Sequence, residues 1–343
     1  MKKKKTTIKD IANVLNISAA AVSKALHNDS RISEKTKENV RQVAKKLQYQ
    51  PNHLASALRS GKSNLVGVIV PRTNSNFFSS VIQNIEEVLN KKGYSIIITQ
   101  SNESYDKECK SIDTLLYTQV DGIIASMANE TIDLSSYEKI KSKGIPLILF
   151  DRGENDLNVD YIGIDDYNSS HVIVEHLVKN GCQRIAHIGG YKRTRIYNNR
   201  IRGYVDALKK HKLPLDAELL TEGDLTIEDG RIKMRQLLSL KTRPDAVYVA
   251  GDYAALGALQ VLKEHKILVP KEISLVGFGN EPFTDMVTPK ITSVNQHSAE
   301  IGKQAANTFL KYIENDTIEQ SLNKIILTAK LIVRDSSNKK THL

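Results

Sequence analysis

Residues 7–28 read TIKDIANVLNISAAAVSKALHN, and this stretch sets how the rest of the chain is understood. Thr7 followed by Asp10 has the spacing of a capping-box variant, and Ile8, Ile11, Ala12 and Leu15 recur at helical intervals. A first helix is therefore expected to run to about Leu15. Asn16-Ile17-Ser18 supplies a short turn with Ser18 as N-cap, and Val22, Ala25 and Leu26 make the apolar side of a second short helix that stops near His27 and Asn28. Ser33 then caps a longer third helix carrying Val40, Val43, Ala44 and Leu47 on one face and ended by Pro51. Three short helices, the first two joined by a tight turn, predict an all-α helix-turn-helix head of the kind that reads duplex DNA.

That prediction gives the three consecutive alanines a use. A recognition helix enters the major groove with its N-terminal residues nearest the base edges, where Ala19, Ala20 and Ala21 fall. Small side chains permit close approach and touch thymine methyls. Ser18, Ser23, Lys24, His27 and Asn28 are then the polar contacts. The plain alternative for each alanine is helix propensity and packing.

Charge is distributed to match. The 343 residues hold 49 Lys and Arg against 39 Asp and Glu, yet the first 63 alone hold 14 and 4, leaving 35 of each for the remainder. All of the excess of +10 sits in the head, the electrostatic footprint of a nucleic-acid reader joined to a neutral body. Lys2–Lys5 alone would read as a solvated basic tail. Apolar runs such as "IPLILF" are too short for a membrane span, and "MKKKKTTIKD" has no apolar core of a signal peptide, so a cytoplasmic location with no membrane partner is expected. Cys109 and Cys182 are expected to be reduced thiols.

From Leu65 the pattern changes to short strands ("LVGVIVP", "SIIITQS", "DGIIAS", "IPLILFD", "YIGID", "RIAHIGG", "AVYVAGD", "ISLVGFG") alternating with amphipathic helices. This predicts an α/β body of two doubly wound parallel-sheet lobes. Ligands in such sheets sit beyond the carboxyl ends of the strands. Those ends carry Arg72, Asn74, Asn76, Phe77 and Phe78, then Asp151 and Arg152, Asp165 and Asp166, Asp252, and Asn280 with Glu281. Aromatic faces with planar hydrogen-bonding groups suit a sugar or a purine. Helix capping by the aspartates and core packing by the phenylalanines are the competing readings.

The segment TIKDIANVLNISAAAVSKALHNDSRISEKTKENVRQVAKKLQYQPNHLASALRSGKSNLVGVIVP closely resembles the head of the lactose-repressor (LacI/GalR) family of bacterial transcription regulators, and the resemblance extends along nearly the whole chain. It implies a helix-turn-helix domain over 1–50, a hinge helix over 51–63 and a two-lobed effector-binding and dimerisation domain of periplasmic-binding-protein type over 64–336. The lobes are expected at about 64–162 with 294–324 and at about 163–293 with 325–336. It implies DNA contacts from Thr7 and from the hinge residues Asn52, His53, Ala55, Leu58 and Arg59, with Leu58 matching a leucine that wedges into the minor groove. It also matches Arg200, in "RTRIYNNRIRGY", to an effector-binding arginine, Phe77 and Phe78 to an aromatic pair after the first strand, and Asp165 and Asp252 to acidic effector contacts; Asn76, Asp151 and Asn280 join them from the strand-end reading. In one place the chain departs from the family's "GFDD" or "GYDN" and reads "GFGN", so Gly279 replaces a carboxylate; Asn280 and Glu281 are the candidates to substitute for it.

Enzyme chemistry finds no support in the sequence. His171 and His176 are five apart, off the three or four that one helix face needs for a metal pair. No GxSxG or GxGxxG occurs, and "SGKS" at 60–63 lacks the first P-loop glycine, since position 56 is Ser56. The expectation is a sequence-specific regulator, most simply a repressor, whose affinity for a pseudo-palindromic operator is set by a small effector and which acts as a homodimer. A carbohydrate is the favoured effector, a nucleoside or purine the second choice, and neither cofactor nor metal is called for. The alternative is a cytoplasmic solute-binding or enzymatic α/β protein with a basic head.

Overall fold

The computed structural model describes residues 6–49, 62–314 and 322–339. It divides into two compact units, residues 1–63 and 64–343.

In the first unit the helices are α1 (Ile8–Leu15), α2 (Ala19–Leu26) and α3 (Glu34–Lys46). Their starts are set by side-chain chemistry. The Asp10 carboxylate accepts the Thr7 N–H and hydroxyl, each at 2.7 Å. Ser18 Oγ accepts the Ala21 N–H at 3.1 Å, and Ser33 Oγ accepts the Thr36 N–H at 3.3 Å, so orphan donors at the helix starts are satisfied locally. Asn16 takes a left-handed conformation (φ 50) and breaks α1 from α2. Ile11, Ala12, Val22, Ala25, Val40 and Ala44 form the small core, flanked by Leu15, Leu26, Ile32, Val43 and Leu47.

The second unit has two parallel sheets. The first contains β1 (Leu65–Val70), β2 (Ser95–Gln100), β3 (Gly122–Ala125), β4 (Leu147–Phe150), β5 (Asp160–Ile164) and β11 (Lys324–Leu327), in the order β11-β5-β4-β3-β1-β2. Helices α4 (Asn76–Asn90), α5 (Tyr105–Tyr117), α6 (Ser135–Ser142) and α11 (Ser298–Glu314) pack with it. The second contains β6 (Ile185–Gly189), β7 (Leu220–Glu222), β8 (Ala246–Val249) and β9 (Ser274–Val276), in the order β7-β6-β8-β9. It packs with α7 (Asp166–Lys179), α8 (Arg195–Lys210), α9 (Ile227–Leu238) and α10 (Asp252–Glu264). Strands β1, β3, β4, β6 and β8 read as continuous Val/Ile/Leu-rich runs because helices cover both faces of each sheet, leaving almost every residue of these strands buried. Helices α9 and α10 approach so closely that a Cβ on Gly257 would collide with the Ile227 carbonyl, and one on Gly230 with the Ala254 carbonyl.

Three segments cross between the sheets. The first runs from β5 into α7. The second is β10 (Ser293–Asn295), antiparallel to β12 (Lys330–Ile332). The third leads from β11 to β12. Strand β11 pairs parallel with β5, Lys324 opposite Tyr161 and Leu327 opposite Ile164. Residues 325–327 thus lie in the first sheet, a few residues past the lobe bound expected at about 324, because the strand continues to Leu327 before the chain crosses.

Candidate functional site

Helix α2 turns one face inward with Val22 and Ala25, which leaves Ser18, Ala20, Lys24, His27 and Asn28 exposed and Ala19 and Ala21 half-buried. His27 Nδ1 lies 2.7 Å from the Ser23 carbonyl, fixing the ring at the helix end. Asn28 (φ 59) accepts from Arg41 through its side-chain oxygen. Ser23 is a correction to the sequence reading: it is buried, one position off the exposed face, and does not share that surface. Thr7 is exposed, with its hydroxyl given to Asp10. Asn52, His53, Ala55, Leu58 and Arg59 lie outside the described residues.

In the body, a cleft opens between the carboxyl ends of the two sheets. Its walls include Arg72, Phe77 and Phe78 after β1, Glu103 after β2, Asn129 after β3, Asp151 and Arg152 after β4, Asp252 after β8, and Gly279 and Glu281 after β9, with Tyr197 and Arg200 from α8. Arg200 is its best-held group. Its Nε donates to Asp166 Oδ1 at 2.8 Å, Nη1 to the Ala250 carbonyl at 3.0 Å and Nη2 to Gln296 Oε1 at 3.4 Å, while the guanidinium lies 3.7 Å from the centre of the Phe278 ring.

Several hydrogen bonds join the lobes around the cleft. Glu281 Oε1 accepts the Ser75 hydroxyl at 3.3 Å and the Phe77 N–H at 3.4 Å. A carboxylate from one lobe thus sits on the N-terminus of α4 in the other, where helix-end donors and dipole favour it. On the other side, Arg193 Nε donates to the Asn129 carbonyl at 3.0 Å and Thr194 Oγ1 to Asn129 Oδ1 at 3.2 Å. Tyr253 donates to the Asn74 carbonyl at 3.3 Å, and Arg152 Nη2 to the Tyr197 hydroxyl at 3.3 Å.

Burial pushes the carboxyls of Asp151 and Asp252 up to about 6 and raises those of Asp166 and Glu281 as well. Asp252 is partly compensated: Ser293 Oγ donates to it at 2.7 Å, and the Glu281 N–H at 2.8 Å. This pair also accounts for Gly279. Its φ of 131 is a glycine conformation, and a Cβ there would come 3.2 Å from Asp252 Oδ2. An aspartate at 279 would be strained and would place like charge against Asp252.

Among the residues expected to meet a ligand, Phe77, Phe78, Asp151, Arg200 and Asp252 line the cleft together. Three expectations are corrected. Asp165 caps α7, accepting the Asn168 N–H at 2.9 Å, and the next residue, Asp166, is the one that meets Arg200. Asn280 gives its side-chain oxygen to Arg334 at 2.7 Å, and the cleft is lined by Glu281 instead. Asn76 starts α4 with its side chain exposed, outside the lining. Sequence reasoning missed Glu103, Asn129, Tyr197, Phe278 and Gln296. The strand-end rule applied to "SIIITQS" would have reached Glu103, and Tyr197 precedes Arg200 by three on one helix face. Among the described residues, no cluster of His, Cys, Asp and Glu could hold a metal ion, and no helix is long and apolar enough to cross a membrane.

Residues 7–52 match the family described as "Bacterial regulatory proteins, lacI family", and residues 174–337 the "Periplasmic binding protein-like domain". The HTH-type transcriptional regulator DegA of Bacillus subtilis is 30% identical over 335 residues, 97% of this chain and 98% of its own. A transcriptional regulator CelR–cellobiose complex superposes with a TM-score of 0.73 at 25% identity, covering 97% of this chain and 100% of that one. The lac repressor dimer bound to operator and the anti-inducer ONPF shares the fold, with a TM-score of 0.86 at 23% identity over 97% of this chain and 99% of that one.

Proposed function

The chain belongs to the lacI family of bacterial regulatory proteins, and from that premise we infer how its parts act on DNA. It is a sequence-specific DNA-binding transcription regulator, not an enzyme; it acts as a homodimer on operator DNA under the control of a small-molecule effector. The finer assignments are our proposal. The exposed face of α2 reads the major groove: Ala19, Ala20 and Ala21 permit close approach, and Ser18, Lys24, His27 and Asn28 contact bases and phosphates. Thr7 and the hinge residues Asn52, His53, Ala55, Leu58 and Arg59 complete the contact with DNA, and the outcome is repression, in the cytoplasm where the DNA is.

The effector occupies the cleft between the lobes. The observation that carries this is Arg200, a buried guanidinium held over Phe278 at the meeting of both sheets. A carbohydrate is the favoured class, supported by the CelR relative's complex with cellobiose, and a nucleoside or purine is second. Binding changes how far the lobes close on the Ser75–Glu281 and Asn129–Arg193 contacts, which changes the affinity of the dimer for its operator. The coupling is reciprocal: an effector that loosens operator binding must itself bind less tightly to the operator complex. Effector affinity measured with and without operator tests this, and equal values would remove the coupling.

A further inference from the structure

The cleft carries a charge that its own residues leave uncompensated. Its three arginines are each ion-paired: Arg72 and Arg152 share Glu103, at 3.3 and 2.6 Å, and Arg200 is paired with Asp166 at 2.8 Å, with Arg152 Nε left as one buried donor without a hydrogen-bond partner. Asp151, Asp252 and Glu281 remain, all buried, with the exposed Asp224 also in the lining, so these nine groups sum to three negative charges when ionised. Asp151 meets Arg152 Nε at 3.9 Å, beyond hydrogen-bond reach. Glu281 is 5% exposed. Its Oε1 faces the start of α4, whereas its Oε2 is buried with no hydrogen-bond partner in the structure. A bare carboxylate oxygen in such a place is costly unless something completes it.

What completes it must bring hydrogen-bond donors and positive charge. A phosphorylated or carboxylated ligand would add negative charge to a cleft whose carboxylates already outnumber its arginines, with Arg152 Nε the one buried arginine donor left to meet it. A neutral sugar offers hydroxyl donors but leaves the charge in place. An ammonium group offers three donors and the charge together, and charge-assisted hydrogen bonds are roughly twice as strong as neutral ones. The rings of Phe77 and Phe78 give the carbon face of a sugar a surface to lie on. Resting on the effector-cleft reading above, we propose that this cleft takes a polyhydroxylated ligand bearing a protonated amine, an amino sugar, and that Glu281 is the residue that selects the amine.

The test is calorimetric titration of the full-length protein at pH 7 with three matched sets: glucose, glucosamine and glucose 6-phosphate, and the corresponding galactose and mannose compounds. The expected result is at least one amino sugar binding ten-fold or more tightly than its neutral parent, with no phosphate binding. In Glu281→Gln the amine and its parent should come within about three-fold of each other; the wild-type comparison stands by itself if that variant fails to unfold cooperatively. A neutral or phosphorylated form that binds as tightly as the amine, a Gln variant that keeps the preference, or no binding by any amino sugar overturns the assignment. A cleft that binds neutral sugars and thereby shifts operator affinity would sink the amine while leaving effector control intact. If compounds bind and operator affinity never moves, effector control itself is removed.

Discussion

Arg200 Nε lies 2.8 Å from Asp166 Oδ1, and the two side chains are 4% and 5% exposed. A buried pair of this kind stabilises the fold only as a pair, because removal of one partner strands the other. Arg200→Ala is therefore expected to lose effector response and also to cost the body about 3–5 kcal/mol. The double variant Arg200→Met/Asp166→Leu should unfold at a higher temperature than either Arg200→Met or Asp166→Leu alone. Scanning calorimetry decides it, and additive losses would show that the two do not act as a unit.

On the DNA side, Lys24 and Ala20 are exposed neighbours on α2 that should act differently. Lys24→Ala is expected to weaken binding to all sequences alike and to reduce the slope of log affinity against log salt by about 1. Ala20→Gln should leave the salt slope unchanged while altering which base is preferred. Fluorescence anisotropy over a salt series, with a randomised operator library, separates the two; a Lys24 variant whose loss is confined to one site would contradict its place on phosphate.

Ser18 has a structural duty as well. Its Oγ accepts the Ala21 N–H, so Ser18→Ala should cost the head about 1 kcal/mol, whereas Ser18→Asp should hold the cap and keep most of that stability. Circular dichroism melting of the full chain, followed through the head's transition, reads the difference. Equal melting of the two variants would show that the cap contributes nothing.

Acidity acts on the body in two opposed directions. The carboxyls of Asp151 and Asp252 stand at about 6 when folded against about 4 unfolded. The folded state binds the more protons in that window, and these groups lower stability as pH rises from 4 to 6. His187, fully buried between Tyr204 and Tyr248, has its imidazole pushed down to about 3 by burial. It binds fewer protons folded than unfolded, so the stability that its neutral form contributes is lost as pH falls below about 6.5. The two trends offset each other between pH 4 and 6. His187→Phe should expose the carboxylate trend, with the denaturant midpoint falling as pH rises; Asp252→Asn should tilt the profile the other way. Parallel profiles for wild type and both variants would refute the pKa assignments.

Much of this was legible in the sequence because the signals are local. Ser18 and Ser33 cap helices within their own turn, and the Val/Ile runs of β1, β3 and β8 announce covered strands whatever the context. The strand-end rule brought Phe77, Asp151 and Asp252 to one place for the same reason. Two of the misses are shifts of a single position. Asp165 and Asp166 are chemically identical, and only the backbone turn after β5 decides which one caps and which one faces Arg200. Gly279 and Asn280 both take left-handed conformations (φ 131 and 53), and this double bend presents Glu281 to the cleft in place of Asn280. Glu103 was within reach of the strand-end rule, whereas Gln296 comes to the cleft from a distant segment that no local pattern connects to Arg200.

The chain passes between the lobes at three places, after Ile164, through Ser293–Asn295 and between Leu327 and Lys330. Three connections restrict how the lobes can move relative to each other, which favours opening and closing of the cleft as the shared motion. Any molecule that draws the walls together must move the same coordinate, whatever its own chemistry. Residues such as Glu281 can then drift to accommodate a new metabolite while the motion passed on by the lobes stays the same.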